Sequence, residues 1–119
     1  VSPGATNFNA LLYSGPYLAA GDGGTILYST DTITWVPRTT GTTNNLYALA
    51  RNGTRLVAVG ASGTILFSGD GITWTAAANS ATTNDLYAVT AYGNGLWIAV
   101  GAKGTLMTSG DGSQPLSAP

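Results

Sequence analysis

One sequence pattern, Gly-x-x-Gly-Thr followed by apolar residues, occurs three times in this chain. Its copies begin at Gly21, Gly60 and Gly101, so they are 39 and 41 residues apart. Trp35 and Trp74 repeat with a similar separation, 39 residues. A period of about 40 residues indicates one supersecondary unit repeated in tandem, in which each unit needs its neighbours to bury its apolar surface.

The second copy shows what the unit is. It contains four short runs rich in β-branched and aromatic residues, which predict strands over Leu46–Arg51, Arg55–Gly60, Thr64–Ser68 and Ile72–Ala77. An Asn-Gly pair and an Asp-Gly pair lie at two of the junctions, where tight turns need positive φ angles. A four-stranded antiparallel meander of about 40 residues in tandem is typical of a β-propeller blade. We therefore predict an all-β chain of about three propeller blades.

The predicted blades divide the chain unevenly. Residues 8–45 and 46–85 each hold four strands, whereas 86–112 is incomplete and leads into the proline-containing tail 113–119. Residues 1–7 align with the end of a fourth strand, so they are candidates for the outer strand that the third blade lacks. Three blades cannot close a ring, because propellers have at least about four. We expect another copy or chain to complete the ring. Two copies joined head to tail would give six blades, and a larger assembly is the other possibility. The alternative is that a longer chain holds the remaining blades.

A second motif lies between the third and fourth strands of each unit. The segment from Ser68 to Trp74 reads Ser-Gly-Asp-Gly-Ile-Thr-Trp, and that from Ser29 to Trp35 reads Ser-Thr-Asp-Thr-Ile-Thr-Trp. Both resemble the Asp-box, or bacterial neuraminidase repeat, of sialidase-like β-propellers, and the resemblance covers roughly residues 8–112. It implies a hairpin turn held by the Asp side chain, with the Trp packed between blades. The structural residues that it implies are Ser29, Asp31, Trp35, Ser68, Asp70, Trp74, Ser109 and Asp111.

Sialidase activity is not expected, although the resemblance raises it. The resemblance implies that a sialidase would need an arginine triad, a Tyr/Glu pair and an Asp acid, but this chain has no Glu and its three Arg occupy unlike positions in the repeat. The chain also lacks His and Cys, which removes imidazole bases, thiol nucleophiles and the usual zinc ligands. Of its five Asp, only Asp22 and Asp85 lie outside the motif. We predict no enzymatic activity, no metal site and no cofactor.

Charge and hydropathy exclude two further classes of partner. The formal net charge is −1 with only four cationic residues, which provides no positive patch for nucleic acid. The apolar runs are far shorter than the roughly 20 residues of a membrane-spanning helix, so we expect no membrane insertion. Few charges, abundant Thr and Gly, and the absence of Cys favour an extracellular location or a place on a virion or cell surface.

Two positions of the repeat carry aromatic residues, for which the sequence favours a core or channel-lining role and leaves a ligand-binding role open. Tyr47 and Tyr87 are equivalent in the first strand of their units, where the first copy has Asn9. Tyr13 and Arg51 share another position of the same strand. Because tyrosine rings with nearby amides and hydroxyls suit sugar binding, these residues are candidates for a ligand surface.

The turn between the second and third strands adds polar candidates, since it carries Asp22, Ser62 and Lys103 in successive copies. A non-catalytic binding or adhesion module, with a glycan as the candidate ligand, is the first functional prediction. The alternative is a structural subunit of an extracellular or virion-surface coat, fibre or filament. The predicted ligand-binding residues are Tyr13, Tyr47, Tyr87, Asp22, Arg51 and Lys103.

Overall fold

The computed structural model describes residues 7–53, 55–77, 82–92 and 96–108, and their strands form three antiparallel sheets. The first sheet contains β1 (Phe8–Tyr13), β2 (Tyr17–Gly21), β3 (Thr25–Ser29) and β4 (Val36–Arg38). The second contains β5 (Leu46–Asn52), β6 (Arg55–Gly60), β7 (Ile65–Ser68) and β8 (Thr75–Ala76). The third contains β9 (Leu86–Tyr92), β10 (Leu96–Gly101) and β11 (Leu106–Thr108).

Each sheet is an up-and-down meander in which consecutive strands are hydrogen-bonded neighbours. The first strands of the sheets contact one another, β1 against β5 and β5 against β9, so they form the inner edge of an arc. This confirms the prediction of an all-β chain built from four-stranded β-propeller blades, of which the third has three strands among the described residues. No helix among the residues with described positions is long and apolar enough to cross a membrane.

Two apolar layers hold the arc together, and each lies between two blades. Strand β6 explains their origin, because Leu56 and Ala58 enter the layer shared with the first blade while Val57 and Val59 enter the layer shared with the third. A strand covered on both faces must be apolar at every position, which accounts for the continuous run in the sequence. The first layer contains Leu18, Ala20, Ile26, Leu46, Leu56, Ala58, Leu66 and Trp74. The second contains Ala50, Val57, Val59, Ile65, Leu86, Trp97, Ala99 and Met107.

The fourth strand of the second blade is shorter than predicted. The sequence predicts a strand over Ile72–Ala77, but β8 spans only Thr75–Ala76. The amides of Ile72 and Thr73 donate to the Asp70 carboxylate, so they cannot also pair with β7. The prediction was wrong at this point because a side chain took the hydrogen bonds that a strand would have used.

The predictions for 1–7 and 113–119 concern residues that, apart from Asn7, lie outside the described part of the chain. The same holds for Ser109 and Asp111 of the third Asp-box-like segment. What the structure describes of the third blade is its inner part, β9 to β11.

The Gly-x-x-Gly-Thr pattern forms the same short turn in every blade. One turn of 3-10 helix spans Asp22–Gly24, Ala61–Gly63 and Ala102–Gly104. The glycine before each turn lies against the link that leads into the inner strand of its own blade. A Cβ atom on Gly60 would lie 2.0 Å from the carbonyl oxygen of Asn45, so only glycine permits this close approach.

Candidate functional site

The connections between strands lie at two opposite ends of the blades. The 3-10 turns and the links into β5 and β9 share one end, here called the turn face. The β1–β2 and β5–β6 hairpins share the other end with the two Ser-x-Asp turns, 29–35 and 68–74; this end is called the hairpin face. The middle strands β2, β3, β6 and β7 are mostly buried, so they leave few side chains available to a ligand between the two faces.

The Ser-x-Asp turns on the hairpin face are closed by their own side chains. The Asp70 carboxylate accepts hydrogen bonds from the backbone N–H of Ile72 (2.8 Å) and Thr73 (3.0 Å). Ser68 Oγ donates to the same carboxylate (3.2 Å) and accepts from the Gly71 N–H (2.8 Å). These backbone bonds, that from Thr73 first, hold the pKa of Asp70 below its ordinary value of 3.8. The carboxylate is therefore ionised and committed to its turn.

The first Ser-x-Asp turn has the same arrangement although it lacks the turn glycine. Asp31 accepts from the N–H groups of Ile33 (2.8 Å) and Thr34 (2.9 Å), and these bonds, that from Thr34 first, lower its pKa. Thr32 stands where the second copy has Gly71 and adopts φ 66°, the left-handed region that glycine favours. The carboxylate bonds hold this turn despite that conformation.

The tryptophans of the two turns have different surroundings. The Nε1–H of Trp74 donates to the Gly71 carbonyl (3.1 Å), and the ring is buried in the apolar layer between the first and second blades. Trp35 makes the equivalent bond to the Thr32 carbonyl (3.2 Å), but its ring is only half-buried. The described residues place no blade before the first one, so this ring has no layer to enter.

On the turn face, a side chain from each link joins one blade to the preceding one. Asn45 Oδ1 accepts a hydrogen bond from the Gly23 N–H (3.0 Å), and Asp85 Oδ1 accepts one from the Ser62 N–H (2.9 Å). We call these contacts the inter-blade clamps. Gly23 and Ser62 are the middle residues of their 3-10 turns, so each clamp ties a link to the turn of the neighbouring blade.

The sequence predicts only a loop position for Asp85 and does not predict its role in an inter-blade clamp. The signal was the recurring segment Thr-Thr-Asn-Asn-Leu-Tyr-Ala at 42–48, which is repeated as Thr-Thr-Asn-Asp-Leu-Tyr-Ala at 82–88. Its third residue is also structural, since Asn44 Nδ2 donates to Thr64 Oγ1 and Asn84 Nδ2 donates to Thr105 Oγ1, both at 2.9 Å.

Asp22 is also a structural residue, and the sequence predicted the wrong equivalents for it in the other two 3-10 turns. Its carboxylate accepts from the side-chain amides of Asn9 (3.0 Å) and Asn7 (3.2 Å). The sequence comparison placed Asp22 with Ser62 and Lys103, but Asp22 is the first residue of its 3-10 turn whereas the other two are the second. The comparison was therefore displaced by one position.

Two tyrosines lie side by side where the inner strands reach the turn face. The rings of Tyr47 and Tyr87 have centroids 5.4 Å apart and planes tilted by 42°. Tyr87 is exposed, and its hydroxyl donates to Asp85 Oδ2 (3.4 Å). The negative charge of Asp85 raises the pKa of the Tyr87 phenol above its ordinary value of 10.0. Asn9 continues this line, because its amide donates to the Leu46 carbonyl (2.9 Å).

We call Asn9, Tyr47 and Tyr87 the tyrosine row. The remaining predicted ligand-binding residues do not all join it. Lys103 is exposed, and it lies on the turn face, which also carries the tyrosine row. Tyr13 lies at the hairpin face, where its ring contacts Tyr17 with centroids 4.8 Å apart.

Arg51 is also on the hairpin face. It lines a cleft of about 190 Å³ together with Ser14, Pro16, Gly53 and Asp70. The predicted residues therefore divide between two faces and do not form one site. Within the described part of the chain, no three acidic, His or Cys side chains converge to hold a metal ion.

Comparison with known proteins identifies the fold and no family. No family model matches the sequence, and no curated protein matches it. Among solved structures, YCF48 from Cyanidioschyzon merolae superposes with a TM-score of 0.82 at 21% identity, over 99% of this chain and 38% of that one.

Two further structures extend the comparison. YCF48 bound to D1 peptide superposes with a TM-score of 0.81 at 18% identity, over 98% of this chain and 42% of that one. The Cps50 (Swd1) β-propeller domain of Myceliophteria thermophila gives 0.65 at 12% identity, over 94% and 39%. The chain thus spans about two fifths of the length of these structures. At such low identity the similarity shows the fold alone: this chain is an arc of a β-propeller.

Proposed function

We propose that this chain is a non-catalytic binding module that holds an extended segment of a protein partner at the tyrosine row. The observation that carries the proposal is the contact between Tyr47 and Tyr87 at the turn face. An exposed tyrosine against a second one is not needed to fill a core, because both apolar layers lie deeper between the blades.

The row has the chemistry of a recognition surface. Tyrosine rings supply a large and rigid apolar contact at a low cost in conformational entropy, while their hydroxyls remain available for hydrogen bonds. The Tyr87 hydroxyl adds a hydrogen-bonding group at the edge of the rings, and the Asp85 carboxylate that accepts from it adds a negative charge there. An extended peptide can rest an apolar side chain on the rings and place its backbone amides against these polar groups.

The choice of a peptide as ligand rests on one of the similar structures. YCF48 is described there with a bound D1 peptide, which shows that a propeller of this shape can bind one. The glycan expected from the sequence is the competing ligand, since sugars also stack on tyrosine rings. Both would use the same row, so the ligand class is decided by experiment.

The non-catalytic part of the proposal is supported by how the carboxylates are used. Asp31 and Asp70 close their turns, Asp22 binds two amide side chains and Asp85 forms an inter-blade clamp. A glycosidase-like acid and base would need two carboxyl groups directed at a common substrate. The described Asp side chains are engaged in the fold instead, and the chain has no Glu, His or Cys.

The test is binding to a peptide array and a glycan array, followed by titration of the best ligand. We expect peptide binding that Tyr87→Ala weakens at least about 10-fold, because the exposed ring would be a large part of the contact. Tyr87→Phe separates ring contact from hydroxyl contact. Arg51→Ala is the control, since this residue is exposed on the opposite face.

Three outcomes would overturn the proposal. Sugar binding without peptide binding would replace the ligand class, and equal affinity of Tyr87→Ala and the unsubstituted chain would remove the row as the site. Loss of binding in Arg51→Ala alone would transfer the site to the hairpin-face cleft.

A structural subunit is the second candidate function, and a different observation favours it. The arc leaves large apolar side chains exposed at both ends, including Leu11 in the first blade and Val100 in the third. Such surfaces are typical of assembly contacts. If no ligand binds either array, electron microscopy of ordered assemblies would support this candidate.

A further inference from the structure

The third blade forms the leading end of the arc. It exposes apolar residues whose equivalents in the second blade are buried. Val59 and Ile65 pair across β6 and β7 and are 0% and 2% exposed in the second apolar layer. Their equivalents Val100 and Leu106 pair across β10 and β11 but are 41% and 44% exposed. The third blade therefore has the same apolar surface as the second blade, but no described blade packs against it.

The trailing end, formed by the first blade, is the complementary case. Leu49 of β5 packs against the first apolar layer, but its equivalent Leu11 of β1 is 71% exposed. Leu11 points away from the second blade, because its strand neighbours Ala10 and Leu12 are the residues that pack against the shared layer. The trailing end therefore exposes the face of the first blade that is equivalent to the face which the second blade packs against the first.

The hydrogen-bonding groups at the two ends are also complementary. Lys103 is the middle residue of the third 3-10 turn, equivalent to Gly23 and Ser62, yet its N–H makes no hydrogen bond within the described residues. Asn7 is the equivalent of Asn45, since its carbonyl accepts the Asp22 N–H (2.9 Å) as that of Asn45 accepts the Ala61 N–H. Across the described chain, Asn7 Oδ1 accepts no hydrogen bond. Donor and acceptor of one inter-blade clamp therefore lie at opposite ends of the arc.

We propose that a second copy of this chain docks head to tail on these ends. The trailing end of each copy covers the leading end of the other, and the Lys103 N–H donates to Asn7 Oδ1 of the partner at both junctions. Two copies then form a closed ring of six blades, within the usual range of about four to eight. Closure buries both exposed ends, which a single arc cannot do. This proposal does not depend on the ligand at the tyrosine row.

The first test is the mass of the chain in solution, by light scattering and native mass spectrometry. We expect about 24 kDa, twice the mass of the 12.0 kDa chain. Leu11→Asp places a charge at both junctions and should weaken the dimer at least about 100-fold, because the buried carboxylate would have no partner. Ile33→Asp is the matched control, with a side chain 70% exposed in a Ser-x-Asp turn. Its equivalent Ile72 is still 42% exposed inside the arc, so this position is not buried where a neighbouring blade is present.

The second test distinguishes a head-to-tail contact from a symmetric one. Val100→Asp blocks the leading end, so alone it should be monomeric, like Leu11→Asp. Mixing the two variants should restore a species of about 24 kDa, because one junction retains two unaltered surfaces. A two-fold contact through the trailing ends would instead leave Val100→Asp dimeric.

Several results would overturn the proposal. These are a monomeric unsubstituted chain at micromolar concentration, an open polymer, an equal effect of Ile33→Asp, and a dimer that survives Val100→Asp. Folding of each variant is checked by circular dichroism, so that unfolding is not mistaken for dissociation.

Discussion

Gly60→Ala should be among the most damaging small substitutions in this chain. A Cβ atom at this position would lie 2.0 Å from the Asn45 carbonyl oxygen and 2.8 Å from the Leu46 Cα. Contacts of this kind are not tolerated below about 3.0 Å, so the link into β5 would have to move by about 1 Å. The obstacle is backbone, which cannot rotate away as a flexible side chain could.

The size of the effect follows from two contributions. The Asn45 carbonyl accepts the Ala61 N–H at 2.8 Å, and loss of this bond costs about 1 kcal/mol. Forcing an extra carbon into a packed region costs about 1–3 kcal/mol. The φ angle of Gly60 is −169°, an extended conformation open to alanine, so no backbone strain is added. We expect the free energy of unfolding to fall by about 2–4 kcal/mol.

The assay is urea unfolding followed by tryptophan fluorescence, which reports on the buried rings of Trp74 and Trp97. Protein concentration is held constant, because assembly would alter the apparent stability. Gly69→Ala is the control: nothing lies within 4 Å of its Cβ position, and the equivalent residue of the first copy is Thr30. It should change stability by less than about 1 kcal/mol. Equal midpoints for the two variants would refute the close-approach explanation.

Four other substitutions test the remaining contacts. Trp74→Ala should cost about 3–5 kcal/mol because its ring fills the first apolar layer, whereas Trp35→Ala should cost less in the monomer; equal losses in thermal unfolding would contradict this. The fold lowers the pKa of Asp70, so its stabilising contribution is complete above the ordinary value of 3.8 and disappears as the pH falls through the lower folded-state value. Asp70→Asn should therefore lose less stability than the unsubstituted chain in urea titrations between about pH 5 and about pH 2. Ser62→Gly should raise the melting temperature, since Ser62 adopts φ 57° at a cost of about 1 kcal/mol, and an unchanged value would argue against that strain.

The repeat allowed the blades to be predicted because its physical requirements are local. The apolar run of β6 lies between a hairpin turn and the Gly-x-x-Gly-Thr turn, so length and composition together define a doubly covered strand. The end of β7 and the start of β8 were less predictable. There the Asp70 side chain competes with the backbone ladder, and strand propensity contains no information about that competition.

The inter-blade clamps could not be predicted from residue types alone. Asn45 and Asp85 differ in charge and look like ordinary polar link residues, and only the register of the blades shows that both accept an N–H from the preceding turn. The division of the predicted ligand residues between two faces has the same cause. Tyr13 and Tyr47 are both in inner strands, but they lie at opposite ends of those strands.

Comparison among the three copies indicates which positions are available for function. Blade geometry is the same in each, so a residue required by that geometry must recur, as the Ser, Asp, Thr and Trp of the turns at 29–35 and 68–74 do. The tyrosine row changes from Asn9 to Tyr47 and Tyr87 while the backbone around it does not change. Variation alone does not mark a ligand position, because the clamp residues Asn45 and Asp85 also differ between copies and still bind the preceding turn. Tyr47 and Tyr87 differ from them because their rings contact each other at the turn face and enter neither apolar layer. This is why the proposed binding site lies at the row and not at the Ser-x-Asp turns.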